Sequence, residues 1–111
     1  MRSDRERLLD ILEAIERIEH QATRGRAAFD HDELAQTAII RWIEIIGEAA
    51  RGLSTDLRQA HSEVPWRQMV AMRNVVAHGY FEIDNELVWS AVKNDLPKLA
   101  KQVHSILEEI R

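Results

Sequence analysis

No cysteine occurs in the 111 residues, which removes a disulfide framework, a thiolate metal site and a cysteine nucleophile, and fits a reducing compartment. Glycine and proline are also scarce, at 4 and 2. With so few breakers and with Leu, Ile, Ala, Glu and Arg recurring throughout, the chain is expected to be all-α, a bundle of four to five helices in one domain over 1–111. No apolar run approaches the roughly 20 residues that span a bilayer. The start, Met1 to Arg7, is charged and leads into an amphipathic pattern, so no membrane partner and a cytoplasmic location are expected. Basic charge is lacking as well: the net charge is −4, which argues against a general nucleic-acid binder. A local basic cleft stays compatible with that total, because screening over about 10 Å separates it from the distant surface.

What is present is helical periodicity. Ser3 and Glu6 fit a capping box, and Leu8, Ile11, Leu12, Ile15, Ile18 and Ala22 recur at spacings of three and four, predicting a first helix over roughly 3–23. Asp30 and Glu33 suggest a second capped helix running to about Arg51, with Gly52 as its stop. Its apolar residues form two adjoining stripes, Leu34, Ala38, Trp42, Ile45 and Ala49 beside Ile39, Ile43, Ile46 and Ala50. So wide an arc suits a central helix or a subunit contact, and a homodimer is expected. The stretch 53–64 is irregular. Pro65 suits the first turn of a third helix that ends near His78 and Gly79. Asp84 is placed to cap a last helix whose apolar phase runs to the C-terminus straight through Pro97, predicting a kink there.

The chemistry concentrates between Arg73 and Tyr80. His78 titrates near neutrality, so it can exchange protons with a substrate or simply interact with the carbonyls that end its helix. Asn74 precedes it by one helical turn and can orient the imidazole. Arg73 interrupts an apolar sequence, either to pair with a carboxylate such as Glu48 or to clamp phosphate oxygens with its permanently charged fork. Tyr80, past Gly79, can pack over the helix end or leave its hydroxyl exposed to a ligand or a modification. Arg73 and His78 are five residues apart, about 140° around a regular helix. They therefore converge only if the helix end rearranges or a second subunit contributes. The five histidines show no metal-binding spacing, and there is no glycine-rich phosphate loop, nucleophile elbow or paired-acid cluster, so metal-independent chemistry without a cofactor is expected. Trp42, Trp66 and Trp89 lie within apolar helical patterns and read as core.

An Arg, four residues, a His, one residue and a Tyr, here Arg73, His78 and Tyr80 with Asn74 after the Arg, resembles the motif of HepT-like proteins in the HEPN superfamily. The setting is similar too, in the same order: Ile45 to Ala50, then Pro65-Trp66, then Ile83-Asp84 through Leu96-Pro97. The resemblance implies a dimerising helical bundle whose two motifs share a cleft, and an endoribonuclease toxin in which the RNA 2'-OH attacks the adjacent phosphate. His78 would then move the proton, Arg73 would stabilise the phosphorane, and Asn74 would orient or contact phosphate. It also implies a nucleotidyltransferase antitoxin of the MNT type that attaches AMP to Tyr80. A different reading of the same residues is a non-catalytic subunit that binds nucleotide or such a partner. A third is a purely structural helical dimer.

Overall fold

The computed structural model describes residues 2–78 and 85–110, with the backbone alone over 73–78. Every regular element among them is helical: α1 (Asp4–Ala22), α2 (Arg26–His31), α3 (Glu33–Gly52), α4 (Thr55–Ala60), α5 (Trp66–His78), α6 (Asn85–Ser90), a π-helical turn (Ala91–Asp95) and α7 (Leu96–Glu109). The central element is α3, which packs against both α1 and α5, while α1 also packs against α7. Their shared core is aliphatic, with Leu8, Ile11, Ile15 and Ile18 of α1 meeting Ile39, Ile43 and Ile46 of α3 and Val103 and Ile106 of α7. None of the long helices is apolar enough to cross a membrane, among the described residues.

The start of α1 forms as its sequence dictates. Ser3 Oγ accepts from the Glu6 backbone N–H at 3.1 Å, and the Glu6 carboxylate accepts from the Ser3 N–H at the same distance, completing the capping box. The next helix differs from expectation in two respects. Residues 26–31 form the separate helix α2, entered through Gly25 at φ +93°, a left-handed conformation that glycine adopts without a Cβ penalty. Asp30 is held within α2 by Arg26 at 2.9 Å, so the cap of α3 falls to Asp32, whose Oδ1 accepts from the Ala35 N–H at 3.1 Å.

Gly52 is the last residue of α3 and has no positive φ, so it does not stop the helix by a left-handed turn. The exit is instead fixed from α1. Asp4 accepts from the Ser54 backbone N–H at 2.8 Å and from its hydroxyl at 2.6 Å, while Leu53 turns extended. The glycine serves a close approach: a Cβ at position 52 would overlap the Arg7 guanidinium. These bonds also set α1 and α3 antiparallel, with the start of one beside the end of the other.

Carboxylates at both caps are displaced in acidity. The Ser3 backbone N–H and then its hydroxyl hold the Glu6 carboxyl below its usual range, and the Ala35 N–H, followed by Arg24, does the same for Asp32. Each group binds its proton less readily folded than unfolded. The stability it confers is complete above the ordinary carboxylate range and is lost as the pH falls through that range towards the folded value. Thermal melts taken between about pH 5 and pH 2 should show this decline, and Asp32→Ala should remove part of it. Ser3→Ala should cost about 1 kcal/mol at neutral pH, lowering Tm by about 4–8 °C.

Towards the C-terminus, the expected kink at Pro97 takes the form of the π turn. Leu96 donates its N–H to the Ala91 carbonyl, five residues back. The wider turn absorbs the proline, which has no N–H to give to Lys93 and would crowd that carbonyl in a regular helix. The apolar phase is kept on both sides, with Val88, Val92, Leu96, Leu99 and Val103 all buried. Asp84, the expected cap of this last segment, lies outside the described residues.

Candidate functional site

Helix α5 carries Arg73, Asn74 and His78 in its last turns. It is anchored at the other end: Trp66 is buried and donates its indole N–H to the His61 carbonyl at 3.0 Å, and Met69 is buried behind it. Val70 and Met72 pack half-buried against the core. From this anchor beside α4 the helix runs back along α3, so its C-terminal turns point away from α4. His61 also faces Glu109 at 3.5 Å, which ties the connection before α5 to the end of α7.

The backbone is α-helical through His78. The helix end thus does not rearrange before the histidine, and positions 73 and 78 stay about 140° apart around the axis. Positions 74 and 78 are separated by about 40° and share a face. Tyr80 lies outside the described residues. On the far side of that stretch the chain is fastened again. Glu86 of α6 accepts from Arg26 of α2 at 3.1 Å, and Trp89 meets Phe29 of α2 with ring centroids 5.4 Å apart. Asp30, followed by Glu86, pushes the Arg26 guanidinium further above its already high range, so the fastening is cationic at any working pH. Lys93 lies over the Trp89 ring at 5.7 Å from its centroid. The helix that carries Arg73, Asn74 and His78 and the helix that follows it in the chain are therefore each secured to the rest of the molecule.

Among the described residues, no group of three or more His, Asp and Glu side chains is placed to hold a metal ion. Of the tryptophans, Trp66 is core as expected, whereas Trp42 and Trp89 are only partly buried. Sequence reasoning passed over Arg67. It stands eleven residues before His78, within about 20° of it around the helix. With Ala71 and Asn74 it defines a single stripe of positions along α5, and its first two members, Arg67 and Ala71, are exposed.

An all-α chain built around a central helix, with Arg, Asn and His in the last turns of an adjoining one, is the frame in which the comparisons fall. The Ribonuclease HepT-like family matches residues 11–106, and the chain belongs to that family. A protein of Thermococcus cleftensis named "Probable ribonuclease HepT" is 44% identical over 100 residues, covering 88% of this chain and 90% of that one. MJ1380 of Methanocaldococcus jannaschii, whose name assigns it provisionally to the RNases, is 42% identical over 100 residues, 89% of this chain and 92% of its own. A longer protein of the same organism, MJ0434, whose name joins a gamma-glutamylcyclotransferase to an RNase, is 39% identical over 102 residues, 90% of this chain but 46% of that protein. No solved structure matches the chain with significance.

Proposed function

We propose that this protein is a dimeric, metal-independent endoribonuclease, the toxin of a toxin–antitoxin pair. The observation that carries the reading is the placement of Arg73, Asn74 and His78 at the end of α5 in a chain of this ribonuclease family. In the reaction, the RNA 2'-OH loses its proton as it attacks the adjacent phosphorus. The P–O5' bond breaks, and a 2',3'-cyclic phosphate and a 5'-hydroxyl result. His78 moves the proton, and Arg73 stabilises the charge that gathers on the phosphorane oxygens, where a planar, permanently protonated donor is most effective. Asn74, on the face of His78, orients the imidazole or contacts the phosphate.

A dimer is supported by two observations. The α-helical backbone through His78 keeps positions 73 and 78 divergent within one chain, an arrangement that a second chain supplying the other group would complete. Among the described residues the outer stripe of α3 is also only partly covered: Leu34 is 83% exposed and Trp42 and Ile45 are half-buried at the edge of the core, while Ala49 and the inner stripe of Ile39, Ile43 and Ile46 are fully packed. Leu34→Asp with Trp42→Asp should give a monomer by light scattering with helical content retained. A variant that stays dimeric would remove that face from the interface.

Control of the enzyme would come from a cognate nucleotidyltransferase that transfers AMP to the Tyr80 hydroxyl, releasing pyrophosphate from ATP. The adduct adds bulk and negative charge beside the motif, which repels an RNA backbone. Purified wild-type protein should cleave RNA in excess EDTA and leave cyclic phosphate ends. Loss of cleavage on chelation, restored by a divalent ion, would overturn the metal-independent mechanism.

A further inference from the structure

A groove of about 710 Å³ lies between α4 and the start of α5, lined among others by Thr55, Arg58, Gln59, Trp66, Arg67 and Gln68. No aspartate or glutamate lines it, although the chain as a whole is acidic. Three other grooves among the described residues, along α1, are all lined by glutamate.

The arginines of this groove also differ from five others among the described residues. Arg2, Arg17, Arg24, Arg26 and Arg41 are each paired with a carboxylate. Arg58 and Arg67 have no such partner among the described residues, and Arg58 Nε is buried without a hydrogen bond. Of the acids nearest in sequence, Asp56 does not line the groove and Glu63 faces His61 at 3.7 Å. Two uncompensated guanidinium groups over a floor of Val64, Pro65 and Trp66 form a site for an anion with a polar edge. The Thr55 hydroxyl and the Gln59 and Gln68 amides supply neutral donors around them.

The direction of α5 identifies the anion. Arg67 and Ala71 are exposed, and the same helical register leads on to the positions of Asn74 and His78. Eleven residues at 1.5 Å each separate position 67 from position 78 by about 16 Å. A strand whose scissile phosphate is at the end of α5 can therefore follow the same side of the helix to the groove without crossing the bundle. We propose that Arg58 and Arg67 form a second RNA-backbone site, which seats the phosphates a few nucleotides away from the one that is cut. This rests on the ribonuclease reading of the α5 motif and adds to it a polarity of binding along the helix.

The test uses full-length protein and a fluorescent, 2'-O-methylated decanucleotide, which binds but lacks the attacking hydroxyl. Anisotropy titrations across a salt series should give Arg58→Gln/Arg67→Gln a binding constant about tenfold weaker than wild type. The slope of log K against log salt should be shallower by about 1.4, two single-strand contacts at about 0.7 each. Arg67→Lys should keep most of the slope and Arg67→Glu should lose more than its share. These single changes are at an exposed position and report on the groove even if altering Arg58 disturbs packing. With a cleavable decanucleotide the double variant should raise KM more than it lowers kcat. A dinucleotide, too short to reach from position 78 to position 67, should show the smaller penalty of the two.

An unchanged salt slope in both the double variant and Arg67→Glu, in protein whose wild type still cleaves RNA, overturns the groove and leaves the active site standing. Wild-type protein that binds with the full slope but cuts no RNA overturns the nuclease reading, and the groove is then supported only if Arg58→Gln/Arg67→Gln flattens that slope.

Discussion

Mixing two inactive variants should restore cleavage. Arg73→Ala and His78→Ala are each expected to lower the rate by about two to four orders of magnitude, the range typical of losing a proton-transfer group or a charge-stabilising donor. If the motif of one subunit is completed by the other, a mixed dimer pairs the intact Arg73 of one chain with the intact His78 of its mate. One of its two sites is then whole. With statistical exchange half the dimers are mixed, so the recovered rate should be about one quarter of wild type for a two-fold symmetric pair. The measurement is RNA cleavage after the two variants have been unfolded and refolded together, against each refolded alone. No recovery would mean that each chain carries a self-sufficient site. The divergence of positions 73 and 78 on a continuous helix would then have to be bridged by Arg73 reaching around its own backbone.

The largest effect on stability should come from the inner face of α3. Ile43 is 2% exposed and belongs to the core that α3 shares with its neighbours. Truncation to alanine removes buried methyl groups and leaves a cavity in a region where three helices are already fixed against one another, so collapse around it is limited. The expected cost is about 2–5 kcal/mol, set against a total of about 5–15 kcal/mol for a domain of ordinary stability. Tm should fall by about 10–30 °C. Ile43→Val should cost only about 0.5–1.5 kcal/mol, because it removes one methyl and keeps the branched shape. Thermal unfolding followed by circular dichroism separates the two. A loss below 1 kcal/mol in the alanine variant would mean that α3 is not the central helix in solution.

Much of this architecture is legible in the order of residues, for identifiable reasons. Ser3 and Glu6 announce α1 because a capping box is a local arrangement, complete within four residues. The Ile39, Ile43 and Ile46 stripe announces the buried face of α3 because helical spacing alone decides what shares a side. Gly79, the expected stop of α5, lies outside the described residues. The failures are of the opposite kind. Asp30 looks like a cap until Arg26 claims it, and α2 is too short to build an apolar period, having only Phe29 to bury. Gly52 reads as a stop, but its role depends on Arg7, forty-five positions away in sequence. Pro97 signals a distortion without saying that it will be resolved as a wider turn.

The candidate site divides in the same way. Arg73, Asn74 and His78 are candidates because of their spacing, and the divergence of positions 73 and 78 follows from helical geometry alone. Tyr80 was named by the same motif and lies outside the described residues. The groove of Arg58 and Arg67 was not foreseen, because its two cations come from different helices joined by an irregular stretch. One clue was present in the sequence: eleven residues between Arg67 and His78 is three turns of helix, and it marks a shared side of α5.

The contact between Arg7 and Gly52 has a consequence for descent. The guanidinium occupies the space that any side chain at position 52 would need, and Arg7 Nε is buried without a hydrogen-bond partner among the described residues. A side chain at position 52 is therefore accommodated when the Arg7 guanidinium swings aside, which its flexible stem allows. A lineage that acquires alanine or serine at 52 needs another rotamer of the arginine or a shorter residue at 7, and a lineage that loses the arginine releases the glycine from its constraint. Across relatives of this protein a larger residue at 52 should favour a shorter one at 7, a bias set by one point of overlap between the first turn of α1 and the last of α3.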